Sequence, residues 1–193
     1  SPCKFYEPYS KKILLIKLGA MGDVLRTTPL LALIKKKYQN CHITWLVNPE
    51  SRDLLKANSN IDKILPYNHL NTLRLQQEKF DVLINLEISP EATLITNNVK
   101  AKEKLGYYFH ESGNPLNFNK SAEFYLNRVY SNQVNLANRK TYQEMMAEIA
   151  ELKYEKSPYT ISTTDDYSEA FSKMHGISAK DKILGINIGS SKR

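Results

Sequence analysis

With 193 residues, of which 41% are hydrophobic and 24% charged, the chain can bury one domain, or one domain and part of a second. Its net charge of +7 suits anionic sugars, nucleotide diphosphates, an anionic membrane surface or nucleic acid. Nucleic acid fits worst, because the lysines are scattered and no nucleic-acid motif accompanies them. No apolar run nears the ~20 residues of a membrane span, the first twelve residues hold no signal region, and Cys3 and Cys41 form neither a CxxC nor a disulfide framework, which fits a reducing cytoplasm.

In chain order, the elements alternate. Ile13-Leu14-Leu15-Ile16 is a short continuous apolar run, as expected of a strand buried on both faces. The loop Gly19-Ala20-Met21-Gly22 follows it. Asp23 then opens a helical segment with Val24, Leu25, Leu30, Leu31, Leu33 and Ile34, which Pro29 should kink or delay. Lys35-Lys36-Lys37 closes that helix against the negative end of its dipole, an ordinary structural placement. His42 to Val47 reads as a second strand, Glu50 to Lys56 as a short helix, and Ile61 to Tyr67 as a weaker third strand. A helix is expected over Leu70 to Lys79, a strand over Phe80 to Leu86, and a helix from Pro90 to about Asn98, since proline fits a first helical turn. Leu105 to Phe109 is a fifth strand in this reading.

Regularity then weakens. His110 to Lys140 is expected to be a long irregular insertion, a binding loop or a mobile connection. Tyr142 to Leu152 reads as an amphipathic helix, and Lys153 to Thr160 as a linker. A helix beginning at Asp165-Asp166 ends near His175-Gly176, and Ile183 to Ile188 should be a new buried strand leading into Gly189-Ser190-Ser191. Strands separated by helices predict an α/β fold with a parallel, Rossmann-like sheet. The expected organisation is a domain over 1–160, then a helix and first strand of a second, incomplete domain over 161–193. The start at Ser1 rather than Met carries the parallel expectation of an earlier beginning.

The glycine loop between strand and helix lets backbone approach a ligand near unpaired N–H groups. Its spacing is GxxGD. It therefore meets neither the GxGxxG dinucleotide fingerprint nor the P-loop pattern. By residue type alone, Asp23 is a helix cap. No Asp-x-Asp occurs, and His42, His69, His110 and His175 share no metal-ligand spacing. Trp45 and the tyrosines read mainly as packing residues, a sugar platform among them staying open.

The stretch KILLIKLGAMGDVLRTTPLL, Lys12 to Leu31, resembles the N-terminal signature of glycosyltransferase family 9, the heptosyltransferases. The matching features are a strand ending in a basic residue, a small-residue loop, Gly22-Asp23, the pair Val24-Leu25, and Thr28-Pro29 before Leu30-Leu31. FDVLINLE (Phe80 to Glu87), KLGY (Lys104 to Tyr107) and LGINIGSS (Leu184 to Ser191) are weaker echoes.

The resemblance implies the acceptor-binding half of a two-domain GT-B enzyme that stops as the donor-binding half begins. It implies inverting transfer without a metal or other cofactor, usually from ADP-heptose to a sugar of the lipopolysaccharide inner core, in the cytoplasm with peripheral association at the inner membrane. Asp23 would be the general base, taking the acceptor hydroxyl proton as that oxygen attacks the anomeric carbon. Gly22, Gly189, Ser190, Ser191 and Lys192 would bind the donor, and Lys17 and Arg26 the acceptor. Two other classes remain in view. One is a non-catalytic nucleotide- or sugar-binding module. The other is a nicotinamide enzyme, which would want a third loop glycine and an acid where Asn48 stands.

Overall fold

The computed structural model describes residues 9–160, 166–178 and 180–186. The chain divides into two units, the first ending at residue 162 and the second starting at residue 163.

The first unit is built on a six-stranded sheet. Its strands are β1 (Lys11–Ile16), β2 (Cys41–Val47), β3 (Lys63–Pro66), β4 (Lys79–Asn85), β5 (Lys100–Phe109) and β6 (Pro115–Asn117), in spatial order β3-β2-β1-β4-β5-β6. The first five are parallel, and β6 is antiparallel to the end of β5. Chain order therefore reverses between β1 and β4, the place where open α/β sheets form a crevice beyond their strand ends.

Alternation along β1 explains why both faces are apolar. Ile13 and Leu15 join a core with residues of α1 (Met21–Thr27), α2 (Pro29–Lys37), α3 (Arg52–Leu55), α6 (Lys120–Tyr130) and α8 (Tyr142–Ile149). Leu14 and Ile16 join the opposite core, with Leu75 of α4 (His69–Gln77) and Ala92 and Ile95 of α5 (Pro90–Asn98). All four β1 side chains are fully buried. Cys41 is buried at the start of β2, and burial pushes its thiol pKa up.

Pro29 does more than kink a helix. It is the first residue of α2, so the expected single helix is two, joined at Thr28. The expected insertion over 110–140 is also ordered. It forms a hairpin through β6, then α6, then α7 (Asn132–Ala137). Ala122 and Leu126, one helical turn apart, are buried, which gives α6 the apolar face that its flanking asparagines obscure in the sequence. Residues 153–160 carry no regular element. In the second unit α9 (Asp166–His175) is present. The strand expected over 183–188 is not formed at residues 183–186, where Ile183, Leu184 and Ile186 are 70%, 83% and 72% exposed. Residues 187 and 188 lie outside the described residues.

Candidate active site

The loops leaving β1 and β4 meet at the reversal point. Leu86 N–H donates to Ile16 O at 3.0 Å, and Lys17 N–H donates to Leu46 O at 3.2 Å. The β1 exit is therefore held by both neighbouring strands. Asn48, just past β2, adds a side-chain amide hydrogen bond to Leu18 O. This residue, standing where a nicotinamide enzyme would carry its acid, ties the loop in place instead.

Lys17 turns inward across the reversal. Its ammonium donates to Glu87 Oε2 at 2.8 Å and to Leu86 O at 3.2 Å, with the two side chains 4% and 14% exposed. Burial opposes the charge on Lys17. The oxygens of Tyr142 and Glu87 outweigh that cost and raise its pKa above the ordinary lysine value. Glu87 is oriented in turn by Asn85, whose Oδ1 accepts the Glu87 N–H at 2.9 Å while its Nδ2 donates to Tyr107 O at 2.9 Å. Gly19 lies directly over the pair: a Cβ there would sit 3.0 Å from Glu87 Oε2 and 3.3 Å from Lys17 Cε. Such an enclosed ion pair, once formed, is costly to break by removing one partner.

Asp23 is not a capping side chain. Ala20 occupies the N-cap of α1 without a side-chain cap bond, and Asp23 lies in the first turn, its N–H donating to Ala20 O at 2.8 Å. An acidic residue there suits the helix dipole without closing any hydrogen bond to the helix end. Its carboxylate, 41% exposed, pairs with Arg26 one turn on at 3.5 Å, a weak surface contact. The Arg26 guanidinium stacks on the ring of Tyr142, 4.1 Å from its centroid, and the Lys17 ammonium is 5.9 Å from the same centroid. Tyr142 is buried, which pushes its phenol pKa up against the opposing pull of Lys17. Glu87, Lys17, Tyr142, Arg26 and Asp23 thus form one run of contacts from the buried reversal point to the half-exposed carboxylate.

Three expected site residues, Lys17, Arg26 and Asp23, therefore lie in one cluster. Gly22 joins them in sequence, with no atom within 4 Å of where a Cβ would be. Gly189, Ser190, Ser191 and Lys192 lie outside the described residues. The structure adds Glu87 and Tyr142, which sequence reasoning did not single out. They are far from the loop in the chain, and only the β1–β4 adjacency brings Glu87 near. Among the described residues, no three His, Cys, Asp or Glu side chains gather as a metal site, and no helix is long and apolar enough to cross a membrane.

No family model matches the sequence. Over 105 residues the chain is 27% identical to the lipopolysaccharide core heptosyltransferase OpsX of Haemophilus influenzae, a match covering 50% of this chain and 30% of that protein. The sequence similarity is thus to a heptosyltransferase, across half of this chain. In fold it is similar to the glycosyl transferase family 9 structure from Veillonella parvula (TM-score 0.66, 20% identity), over 95% of this chain and 55% of that one. It is also similar to the E. coli heptosyltransferase WaaC with ADP (TM-score 0.53, 14% identity), over 77% of this chain and 50% of that one. The α/β, Rossmann-like fold is thus one shared with these glycosyltransferase structures, and the chain spans about half the length of each.

Proposed function

We propose that the chain is the acceptor-binding half of an inverting glycosyltransferase, with Asp23 as its general base. The supporting observation is a half-exposed carboxylate in the first turn of the helix that leaves the sheet's reversal point, within a Gly22-Asp23 motif that resembles the heptosyltransferase signature. In this reading the acceptor hydroxyl attacks the anomeric carbon as its proton passes to Asp23, and the bond to the departing diphosphate breaks. The pair of Lys17 with Glu87 fixes the loop that carries the base, and Arg26, seated on Tyr142, faces the acceptor. Gly22 leaves room for substrate, and Gly189, Ser190, Ser191 and Lys192 hold the diphosphate. No cofactor or metal takes part.

The donor we propose is ADP-heptose, and the acceptor an anionic sugar of the lipopolysaccharide inner core on a glycolipid. The enzyme works in the cytoplasm, peripherally at the inner membrane, where a net charge of +7 favours anionic lipid and sugar.

Asp23→Asn in the full-length protein tests the assignment. An amide keeps the shape of the carboxylate and cannot take the proton. Turnover should fall by about 10²–10⁴, with melting temperature and donor affinity close to those of the parent. A variant keeping more than about a tenth of parental turnover would remove Asp23 from the role of base.

A further inference from the structure

Two neighbouring strands bring lysines together at the outer part of the sheet. Lys79 opens β4, Lys100 opens β5, and the two stand level in the ladder. Both are exposed, and neither pairs with a carboxylate among the described residues. They line a groove of about 360 Å³ together with Lys102 and Lys104, and the buried side chains of Phe80 and Val99 form part of its wall. Lys102 pairs with Asp81 at 2.7 Å. That carboxylate is fully engaged, because its other oxygen accepts the Lys12 N–H at 2.8 Å. Lys104 donates only to Thr96 O and Asn97 O of α5, at 2.7 and 3.4 Å. Burial lowers its pKa with no counter-charge to offset the effect. No acid lines the groove, and Glu103, the acid of this stretch of β5, lies outside it.

The backbone beside the groove is open as well. From Gly106 onward, the side of β5 away from β4 is occupied. Gly106 N–H donates to Asn119 Oδ1 at 2.9 Å, Gly106 O accepts the Phe118 N–H at 2.8 Å, and Tyr107 to Phe109 pair with β6. Over residues 100–105 no described strand pairs with that side. Charges on an edge strand ordinarily discourage further chains from adding, which accounts for the lysines of β5. It does not account for Lys79, which belongs to an interior strand and stands level with a like charge. Such a pair costs stability, and an anion set between the two ammonium groups removes the cost.

Two features narrow the partner. Lys100, Lys102 and Lys104 fall at every second residue, the spacing at which an extended chain presents one face. Phe80 is 2% exposed, so the groove offers no aromatic face on which a nucleic-acid base could stack. A small anion would use the lysines and leave the strand edge idle. We propose that this edge is a docking surface for an acidic, extended segment of another protein, which adds to β5 as a strand and sets carboxylates at alternate positions against the lysines. Main-chain hydrogen bonds hold the segment, and the lysines select it. The surface lies where β4 and β5 begin, whereas Asp23 follows the end of β1, and the assignment does not depend on the transferase reading.

The test is fluorescence anisotropy of the 193-residue chain with a labelled peptide of four Glu-Val repeats. The peptide should bind saturably, and in ¹H–¹⁵N NMR the amides of residues 100–105 should shift and gain hydrogen-exchange protection. The same peptide N-methylated at every residue keeps its charges but offers no N–H to a strand. It should bind about tenfold more weakly, the equivalent of one or two net hydrogen bonds. A peptide of four Lys-Val repeats should not bind. Lys79→Gln combined with Lys100→Gln should weaken the Glu-Val peptide about fivefold, as the loss of two exposed ion pairs allows. Both changes fall on exposed side chains, so circular dichroism of the double variant should match the parent. Absence of binding at millimolar peptide, equal binding of the N-methylated peptide or of an oligothymidylate of equal length, or unchanged affinity in the double variant each overturns the proposal. Asp23→Asn should bind the peptide as the parent does, so a failure here is distinct from a failure of the transferase assignment.

Discussion

Two pentapeptides of this chain differ at one position and share no conformation. Lys12-Ile13-Leu14-Leu15-Ile16 lies in β1 with its four apolar side chains fully buried, while Lys182-Ile183-Leu184-Gly185-Ile186 forms no strand and leaves Ile183, Leu184 and Ile186 mostly exposed. The composition of a strand is thus insufficient without neighbours. β1 has β2 on one side and β4 on the other, with a helical layer on each face. Among its described residues, the second unit offers α9 and no strand to pair with. Hydrogen bonding and burial reward the extended backbone of β1 enough to offset its lost entropy. Among the described residues, nothing gives residues 182–186 either return.

That contrast can be broken at its most sensitive point. Leu14→Asp places a carboxylate among fully buried side chains with no partner, and should abolish the cooperative unfolding transition of the first unit. Leu184→Asp makes the same change at an exposed position and should alter stability by no more than about 0.5 kcal/mol. Urea unfolding followed by circular dichroism compares the two; similar losses would mean that residues 182–186 are packed after all.

Next in size is the pair beyond the end of β1. Lys17→Met strands the Glu87 carboxylate and should cost about 3–5 kcal/mol. Combining it with Glu87→Leu should recover much of that loss, because the apolar pair leaves no buried charge behind. Additive losses in the double-mutant cycle would show that the two side chains act independently.

Gly106→Ala comes third. Gly106 has φ +91°, and a Cβ there would lie 1.8 Å from Asn85 O. The left-handed backbone costs a side chain about 1–3 kcal/mol, and displacing the β4 carbonyl adds to that. The melting temperature should drop, and the amides of residues 106–118 should lose hydrogen-exchange protection before the rest of the sheet. Uniform loss of protection would instead tie the hairpin to the global core.

The smallest effect concerns the start of α8. Thr141 and Glu144 form a capping box, each side chain bonded to the other's backbone N–H. Thr141→Ala should cost about 0.5–2 kcal/mol, read from the urea midpoint. Since α8 carries Tyr142, the support beneath Arg26, this variant in the full-length protein should also lower turnover modestly without abolishing it.

The same contrast explains what the sequence reveals and what it conceals. The continuous apolar run Ile13–Ile16 and the mostly apolar Phe80–Leu86, interrupted by Asp81 and Asn85, reveal doubly covered strands. Pro90 marks the first residue of α5, since its fixed φ and missing donor suit that position. The local motif Gly22-Asp23 is likewise visible. The link between Lys17 and Glu87 is not, because it depends on β4 settling beside β1, a consequence of topology. The need for glycine at 106 is hidden for the same reason: a carbonyl of β4 sets it. Ala122, Tyr125, Leu126 and Val129 do carry a helical period, but the turn-forming residues from Gly113 to Asn119 favour a loop reading of the segment around them.

The outer edge of β5 has a consequence for how the protein behaves in a crowd of its own copies. β6 covers only Tyr107 to Phe109. From Lys100 to Leu105, no described strand occupies the side of β5 away from β4. An open parallel edge of six residues is a template on which another chain can add, and from which fibres can grow. The run here is Lys-Ala-Lys-Glu-Lys-Leu. A second copy aligned in register along it would bring like charges together at Lys100, Lys102, Glu103 and Lys104, so these side chains also work against the sheet extending beyond itself.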